Sequence, residues 1–298
     1  MYDSLELGRR EAVIDAPLVV GDIRDNDLVT ATCNEHGVTQ LVHFAAYKAV
    51  GESMEQPAKY WRNNVAGSVE LAEACLAVGV HDVVFSSSCS VNGTPAQVPV
   101  VETAAIDPES VYAESKAMVE KILFWYGQTS PLRSVSLRYF NAAGASFDGR
   151  IGEDWSHSSN LVPLTMKALL LDDFRLQVFG DDYDTPDGTC IRDYIHVNAL
   201  ADAHVRALDY LGRGGETVAL NVGTGVGSSV LEVIEAAARA AGRPVPYDLA
   251  PRRAGDPVAT YADPTFAKAT SGWESRYGLT EIIESAYVWH QSQASLVR

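Results

Sequence analysis

The sequence feature that most constrains the fold is a regular alternation of short apolar runs with longer helical patterns. Two stretches, 57–78 and 115–126, have apolar residues at helical spacing. Around them, runs rich in β-branched and aromatic residues predict buried strands at 17–22, 40–46, 82–88 and 134–140. Because strands that alternate with helices are joined by crossovers, the sequence predicts an α/β fold with a doubly wound parallel sheet.

The alternation becomes less regular after about residue 141. The stretch 179–189 is rich in Gly, Asp and Pro, which favour turns, and a further strand and helix are predicted at 217–223 and 228–242. We therefore expect two domains. The first covers 1–141, and the second, 142–298, is a smaller α/β lobe from which some segments return to the first domain.

Composition argues against several classes of function. A net charge of −16 disfavours nucleic acid as a partner, because neutralising phosphates needs clustered Lys and Arg. No apolar run approaches the roughly 20 residues that span a bilayer. No charged-then-apolar segment opens the chain, so we expect a cytoplasmic protein without membrane contact. The scattered cysteines predict neither a disulfide framework nor a metal site: Cys33, Cys75, Cys89 and Cys190.

A tyrosine and a lysine one helical turn apart are the strongest candidates for chemistry. Residues four apart share a helix face, so the Lys116 ammonium can lower the pKa of Tyr112 and make it a general base. The predicted strand 82–88 ends in three serines, at the sheet edge where ligands bind in parallel sheets. A hydroxyl there can bind the same substrate oxygen as the tyrosine. Alone, the Y-x-x-x-K spacing is equally typical of an exposed helix face.

Ten motifs occur in one order along the chain: GDIRD, FAAYKAVGES, WRNNVAGS, FSSSCSVNG, YAESK, LRYFNAAGA, NLVPL, VFGDDYDTPDGTCIRDYIHV, NVGTGVG and RRAGDP. In this combination the chain resembles UDP-glucose 4-epimerases, which belong to the extended short-chain dehydrogenase/reductases. The resemblance covers essentially the whole chain. The YFNAAGA and IRDYIHV blocks are typical of nucleotide-sugar epimerases rather than of dehydrogenases generally. The resemblance implies a Rossmann-like, NAD-binding first domain and a second lobe that mainly binds a UDP-sugar.

The resemblance also implies a reaction and partners. The reaction is the NAD-dependent, reversible C4 epimerisation of a UDP-hexose, UDP-glucose or UDP-galactose, through a 4-keto intermediate. The small-molecule partner is then a UDP-sugar, within galactose metabolism. Relatives commonly pair through a helix bundle, so a homodimer is expected, with the predicted helices around 65–76 and 119–126 as its interface.

Roles for individual residues follow from the same resemblance. Tyr112 would take the proton of the sugar 4-hydroxyl, Lys116 would bind the nicotinamide ribose and tune that tyrosine, and Ser88 would assist proton transfer at O4. Phe140 would flank the nicotinamide. Further positions match cofactor contacts: Asp3, Asp22, Ile23, Phe44, Ala45, Ala46, Lys48, Asn63 and Ser86.

Eight positions match residues that hold the UDP-sugar: Ser88, Asn141, Asn160, Phe179, Arg192, Tyr194, Arg253 and Asp256. Physical chemistry supports part of this set independently. The forked donors of Arg192 and Arg253 suit a pyrophosphate and would supply the local positive charge that an acidic chain lacks. The Asp256 carboxylate could accept hydrogen bonds from ribose hydroxyls. On their own, these arginines would also be typical of a solvated surface.

The chain departs from the resemblance at its start. Relatives begin with a strand, a glycine-rich turn, a helix and a second strand, and backbone N–H groups of that turn bind the pyrophosphate. Here residues 2–5 match only the end of the second strand, with Asp3 at the ribose-binding position. The first strand is central in the expected order. We therefore expect a gap between the strands at 17–22 and 40–46, poor folding or rearrangement, and weak NAD binding.

A second glycine-rich stretch, GTGVG at 223–227, follows a predicted strand and precedes a helix. It lies late in the chain, so we interpret it as a strand-to-helix turn rather than as the dinucleotide site. Two smaller departures concern the substrate. Asn92 stands where the family commonly has a tyrosine, and Thr260 replaces a bulky tyrosine of some relatives, which would leave room for an N-acetyl group.

Two alternatives to an active epimerase remain at the level of sequence. One is a non-catalytic remnant that still binds a nucleotide sugar. The other is a nucleotide-sugar 4,6-dehydratase. Dehydratases usually have an acidic pair directly after the serine or threonine of the fourth strand, whereas Cys89 and Ser90 follow Ser88 here.

Overall fold

The computed structural model describes residues 1–155, 158–253 and 255–297, with side chains as far as Ala294. Its strands, in chain order, are β1 (Tyr2–Asp3), β2 (Val19–Val20), β3 (Gln40–His43), β4 (Asp82–Ser88), β5 (Arg133–Tyr139), β6 (Asn141–Ala143), β7 (Leu176–Phe179), β8 (Ile191–His196), β9 (Val218–Val222), β10 (Gly227–Ser229), β11 (Tyr247–Ala250) and β12 (Ala259–Thr260). Its helices are α1 (Asn26–His36), α2 (Val50–Glu55), α3 (Pro57–Tyr60), α4 (Gly67–Ala77), α5 (Val111–Thr129), α6 (Leu161–Leu170), α7 (Val197–Gly212), α8 (Val230–Ala241), α9 (Thr265–Ser271) and α10 (Leu279–Val297). None of the described helices has the length and apolar character needed to cross a membrane.

The chain divides into two compact units. Unit 1 comprises Met1–Gly93, Ala105–Arg138 and His204–Leu220. Unit 2 comprises Thr94–Ala104, Tyr139–Ala203 and the chain from Asn221 onward. Strands and helices occur in both units, which confirms the predicted α/β class.

The main sheet of unit 1 has the strand order β3-β4-β5-β9. β4 is buried along its whole length, because it lies inside the sheet and α5 covers it with Val119 and Leu123. β3 pairs with β4 in parallel, with Gln40 opposite Asp82 and His43 opposite Phe85. Parallel pairing of buried, β-branched strands is what the sequence predicts.

The strand predicted at 17–22 is shorter than expected, and it does not join this sheet. Only Val19–Val20 is extended, and it pairs in parallel with β1 as a separate two-stranded sheet. β2 and β3 therefore belong to different sheets, as the predicted gap requires. Val20 is 46% exposed. A strand with a partner on one side only, and only two residues long, does not bury its side chains fully.

The helix predicted at 57–78 is interrupted by a π-helical segment, Trp61–Ala66, between α3 and α4. Sequence spacing predicts a buried face of Trp61, Val65, Val69, Ala72 and Leu76, but of these only Ala72 is buried. The buried face carries Asn64, Ser68 and Leu71 instead. The extra residue of a π turn rotates the helix face, and hydrogen bonds allow the polar pair to be buried.

In unit 2, β8 pairs in parallel with β6 and β12 and antiparallel with β10. β7 and β11 form a separate parallel pair. Helices α6, α8 and α10 share one apolar core, in which Met166, Val233 and Ile282 are fully buried. The helix predicted at 228–242 is confirmed as α8, which begins at a capping box between Ser229 and Glu232.

Candidate active site

Tyr112 and Lys116 lie one turn apart near the start of α5, on the side that faces β4. The Lys116 ammonium donates a hydrogen bond to the Ser86 carbonyl at 2.7 Å and lies 5.9 Å from the centre of the Tyr112 ring. The Tyr112 backbone N–H donates to Ser53 Oγ at 3.1 Å, which holds the first turn of the helix against α2. The spacing thus brings the phenol and the ammonium onto one face, as the sequence predicts.

Lys116 is almost fully buried, with 4% of its surface exposed. Burial lowers the pKa of Lys116 to about 7, and the Glu120 carboxylate opposes this shift. Its charge therefore depends on nearby anions. A negative group close to Nζ, such as a phenolate, favours the ammonium form.

The three serines at the end of β4 are all buried and differ in their contacts. Ser86 accepts the Lys116 bond through its carbonyl, and the Ser87 hydroxyl donates to Glu120. Ser88 Oγ accepts hydrogen bonds from the N–H and the hydroxyl of Ser90, at 3.2 and 2.9 Å. Neither bond uses the Ser88 proton, so this hydroxyl can still donate to a substrate oxygen.

The loop after β3 carries most of the predicted nicotinamide-side contacts. Phe44 is 57% exposed and its ring centre lies 4.6 Å from that of His204. Ala45 and Lys48 are exposed, and Ala46 is half-buried. The side chains at this turn are therefore accessible to a ligand, at the carboxyl end of a parallel strand.

Asn64 holds that loop in place. Its Oδ1 accepts the Tyr47 N–H at 2.9 Å, and its Nδ2 donates to the Tyr47 carbonyl at 3.0 Å and to Ser115 Oγ at 3.1 Å. The neighbouring Asn63, predicted as a cofactor contact, donates to Asn64 Oδ1 at 3.0 Å. Sequence reasoning missed Asn64, although a polar residue on the buried face of a predicted helix was a usable signal.

His43 is buried beside Lys116 and is neutral. The Ser68 hydroxyl donates its proton to the Asn64 carbonyl, so Ser68 Oγ accepts from His43 Nε2 at 2.8 Å and fixes the tautomer. Burial, with a smaller contribution from Lys116, lowers the pKa of His43 to about 3. Its Nδ1 atom has no hydrogen-bond partner in the described part of the chain.

The predicted adenosine-side residues lie at the carboxyl ends of β1 and β2. Asp3 Oδ1 accepts the Leu5 N–H at 2.7 Å. Hydrogen bonds from the Arg24 side chain lower the pKa of Asp22, which therefore stays ionised. The Tyr2 hydroxyl donates to the Asp22 carbonyl at 2.8 Å and ties the two strands together, and Ile23 is buried.

Four of the predicted UDP-sugar residues come together in unit 2. Asp256 accepts from Arg253 Nε at 3.0 Å and lies 3.6 Å from Arg192 Nη2. The Arg253 guanidinium carbon lies 4.6 Å from the centre of the Phe179 ring. Two arginines around one carboxylate leave a net positive charge, and most of the ten N–H donors of two guanidinium groups are not used by these contacts.

The remaining predicted residues of unit 2 lie elsewhere in that unit. Tyr194 is buried in the unit 2 core, and burial raises its pKa; Asn141, exposed, stands opposite it on β6. Asn160 precedes α6 and donates to Glu153 Oε1 at 3.2 Å. Phe140 is 5% exposed, and its N–H donates to the Val222 carbonyl at 3.4 Å.

The glycine turn at 223–227 is occupied by a carboxylate of the chain itself. Asp193 accepts hydrogen bonds from the Thr224 N–H, the Thr224 hydroxyl and the Gly225 N–H at 2.9, 2.6 and 3.1 Å, and from the Ala262 N–H at 3.2 Å. A Cβ on Gly223 would approach Asp193 Oδ2 to 2.4 Å, so this position needs glycine. The turn therefore uses its backbone donors internally.

A sequence profile for the NAD dependent epimerase/dehydratase family matches residues 3–223. The chain belongs to this family. Among its relatives, the UDP-glucose 4-epimerase of Rhizobium meliloti (strain 1021) is 47% identical over 97% of this chain and 88% of its own length. That of Halalkalibacterium halodurans is 42% identical over 98% of this chain and 87% of its own length.

Solved structures of family members agree with the fold. The UDP-glucose-4-epimerase of Stenotrophomonas maltophila, with bound NAD and formylated UDP-arabinopyranose, has a TM-score of 0.96 and 38% identity, covering 99% of this chain and 91% of that chain. The enzyme of Brucella ovis, in complex with NAD, has a TM-score of 0.94 and 44% identity, covering 97% and 90%. The resemblance to UDP-glucose 4-epimerases is confirmed.

Among the described residues of this epimerase/dehydratase, no group of three or more His, Cys, Asp or Glu side chains is arranged to hold a metal ion. None of the four described cysteines forms a disulfide.

Proposed function

We propose that this chain interconverts UDP-glucose and UDP-galactose by reversible oxidation at C4, through a 4-keto intermediate, with NAD as its cofactor. The observation that carries the proposal is the placement of Tyr112, Lys116 and Ser88, a phenol, a buried cation and a hydroxyl at the ends of α5 and β4. The similarity to epimerases at 42–47% identity over nearly the whole chain supports it.

The residues of unit 1 fit the ribose and nicotinamide parts of NAD. Of the three N–H donors of Lys116, one is used on the Ser86 carbonyl, and the others suit ribose hydroxyls. The carboxylates of Asp3 and Asp22 lie at strand ends, where they can accept hydrogen bonds from the adenosine. When bound, NAD supplies the reversible two-electron oxidation of the sugar at C4.

The chain's own residues move the proton. Tyr112 takes the proton of the sugar 4-hydroxyl, and the Lys116 ammonium favours the phenolate that makes this possible. The Ser88 hydroxyl keeps its proton and donates a hydrogen bond to the same oxygen, which orients it. When the reaction returns from the 4-keto sugar, Tyr112 gives the proton back, so the residues end in the state in which they began.

In unit 2, Arg192, Arg253, Asp256 and Phe179 hold the UDP part. The two guanidinium groups pair with the pyrophosphate, Asp256 accepts from ribose hydroxyls, and Phe179 offers a ring face. Asn141, Asn160 and Tyr194 remain predicted contacts of the same ligand. The Thr260 side chain is buried and its Oγ1 has no partner among the described residues, and turnover of an N-acetylated sugar remains a prediction for this position.

We further propose that the chain forms a homodimer through α5 and the neighbouring helix. Met118, Ile122, Trp125 and Tyr126 line an open apolar groove on α5, and Trp125 is 55% exposed. The half-buried stripe on Trp61–Ala77, including Val65 and Val69, adds to this surface. Exposed apolar patches of this kind mark interfaces. A cytoplasmic location remains a prediction from the sequence.

The decisive experiment is an assay of UDP-galactose conversion by the purified chain with added NAD, compared with Tyr112→Phe. Removing a general base lowers kcat by roughly 10²- to 10⁴-fold, and the affinity for UDP measured by calorimetry should not change. Tyr210→Phe, which alters a tyrosine that bonds to the Glu216 N–H, is the matched control and should retain activity.

Each alternative has its own signature in this assay. Tight UDP-sugar binding without bound NAD or conversion would identify a non-catalytic remnant. Formation of a 4-keto-6-deoxy product would identify a dehydratase and overturn the proposal.

A further inference from the structure

Glu120 continues the helix face that carries the proposed base. It lies on α5 one turn after Lys116 and two turns after Tyr112, so the three side chains share one face. Its side chain is only 11% exposed. A carboxylate buried this deeply needs partners, because removing a charge from water is costly.

The partners come from two neighbouring strands. Arg138 of β5, 7% exposed, donates from Nε to both Glu120 oxygens at 2.9 and 3.1 Å, and from Nη2 at 2.6 Å. The Ser87 hydroxyl of β4 donates to Glu120 Oε1 at 2.5 Å. Glu120 therefore links α5 to both central strands at a single point.

That point is next to the reacting groups. Ser87 lies between Ser86, whose carbonyl binds the Lys116 ammonium, and Ser88, whose hydroxyl is the proposed donor to the substrate oxygen. A slip of α5 along β4 would move Tyr112 and Lys116 relative to Ser88. Displacements of about 1 Å at a reacting centre can cost roughly 10²-fold in rate.

Charge gives Glu120 a second effect on Lys116. Among the described residues, Tyr112 and Glu120 on α5 and His43 on β3 are ionisable groups close to Lys116; His43 is neutral, and Arg138 on β5 pairs with Glu120. On α2 and α3, Glu52 and Lys59 pair with each other at 2.8 Å, and neither is among the groups that shift the pKa of Lys116. Glu120 is thus the carboxylate that opposes the effect of burial and keeps Lys116 protonated.

We propose that Glu120 is a positioning residue for proton transfer at Tyr112: held by Arg138 and Ser87, it fixes α5 against β4 and keeps Lys116 in its ammonium form. The inference rests on the proposed epimerase function, but its charge effect is a property of the chain itself. An apolar pair would pack this site at less cost, so the buried ions are consistent with a role beyond stability.

The test is Glu120→Gln, which keeps the shape and an acceptor for Ser87 but removes the charge. A neighbouring charge shifts a pKa by about 1–3 units. Active enzyme needs the Lys116 ammonium. Losing the Glu120 charge therefore moves the alkaline limb of the kcat–pH profile at least about one pH unit lower. At pH values above the limb, kcat should then fall about tenfold or more, with KM for the UDP-sugar within about twofold of wild type.

The control is Asp82→Asn, which breaks another carboxylate–arginine pair on the same sheet, here between β4 and β5. Asp82 Oδ1 and Arg133 Nη2 lie 2.6 Å apart. Both residues are at the amino-terminal ends of their strands, whereas Ser87 and Arg138 are near the carboxyl ends. This variant should lose stability without moving the alkaline limb. Because Glu120→Gln removes the carboxylate that pairs with the buried Arg138, the double variant Glu120→Gln with Arg138→Met provides a second test if the single variant folds poorly.

A direct readout separates this proposal from the proposed function. In ¹³C-lysine-labelled protein without added NAD, the Lys116 signal, assigned by its loss in Lys116→Arg, should titrate at lower pH in Glu120→Gln than in wild type. That result would support the charge effect even if the chain has no epimerase activity. An unchanged Lys116 titration together with an unchanged kcat profile would show the proposal to be wrong.

Discussion

At the residue scale, burial determines which of two neighbouring basic groups carries charge. His43 and Lys116 are both nearly inaccessible, and the Lys116 charge disfavours a proton on His43. Lys116 has Glu120 and the Tyr112 phenol nearby, whereas His43 donates to a serine and has no anionic partner among the groups that shift its pKa. The single positive charge therefore lies at Lys116, one helical turn from Tyr112.

The neutral His43 makes stability depend on pH. Its pKa in the folded chain is about 3, against about 6.5 when unfolded, so the unfolded state binds more protons between these values. Its stabilising effect is complete above pH 6.5 and is lost as the pH falls. Between pH 7 and pH 5 this one group should reduce the free energy of unfolding by about 2 kcal/mol.

Urea unfolding of wild type and His43→Gln at both pH values measures this difference. The variant keeps an N–H donor for Ser68 and should show a smaller loss between pH 7 and pH 5. His36→Gln, which changes the exposed histidine in the last turn of α1, should behave as wild type. Equal pH dependence in His43→Gln and wild type would contradict the assignment.

At the scale of elements, buried polar side chains fix how neighbouring segments meet. Asn64 sits in the π-helical segment and joins the loop after β3 to α5 through Tyr47 and Ser115. π turns commonly occur at functional sites, because they expose backbone and re-aim side chains. Here the extra residue brings an amide side chain into contact with two elements that carry the proposed catalytic and cofactor residues.

Asp193 does the same in unit 2, where it joins β8 to the turn at 223–227 and to the segment after β12. Asp193→Ala removes the acceptor of the Thr224 and Gly225 donors, which are half-buried, and of the Ala262 N–H, which is buried. Each such group costs about 1–3 kcal/mol, so we expect a loss of at least about 3 kcal/mol in the free energy of unfolding. Denaturant unfolding monitored by circular dichroism measures it.

The matched comparison for Asp193→Ala is Thr224→Val, which removes the Thr224 hydroxyl donor and keeps the backbone bonds to Asp193. It should cost much less than Asp193→Ala. If the two variants lose the same stability, the carboxylate does not organise the turn.

Sequence periodicity predicts the strands and helices of this chain best where burial decides them. β4 has the predicted limits, and α5 extends the predicted helix to Val111–Thr129. Periodicity does not predict the buried face of the segment 57–78 correctly, because apolar spacing does not reveal a π turn. In addition, Asn64 and Ser68 are polar residues that are buried because they form hydrogen bonds. Glu120 and Arg138 were also missed, since a carboxylate and an arginine 18 residues apart show no periodic relation.

At the scale of the whole molecule, an acidic chain with a net charge of −16 must gather positive charge locally to hold a nucleotide diphosphate. Arg192 and Arg253 meet at Asp256 and provide such a point in unit 2. In unit 1, the buried cations Lys116 and Arg138 are each balanced by nearby groups. The acidic chain therefore has one site with a net positive charge, in unit 2, and one site in unit 1 where the buried cations are balanced.

The proposed homodimer gives a prediction at the same scale. Trp125→Glu places a charge in the apolar groove of α5, so wild type should sediment as two chains and the variant as one. Phe266→Glu, which changes an exposed phenylalanine on α9 in unit 2, should sediment as wild type. A wild-type chain that sediments as a monomer at all concentrations tested would contradict the proposal.

The separation of β2 from β3 has a consequence for association between chains. β3 ends its sheet, so one row of its backbone N–H and C=O groups has no strand beside it within the described sheet order. Its residues Gln40–Val42 are only half-buried. An open parallel edge of this kind is a template to which an extended segment of another chain can add by backbone hydrogen bonding, whatever its side chains. Strand addition at β3 is therefore the route that we expect for any aggregation of this chain.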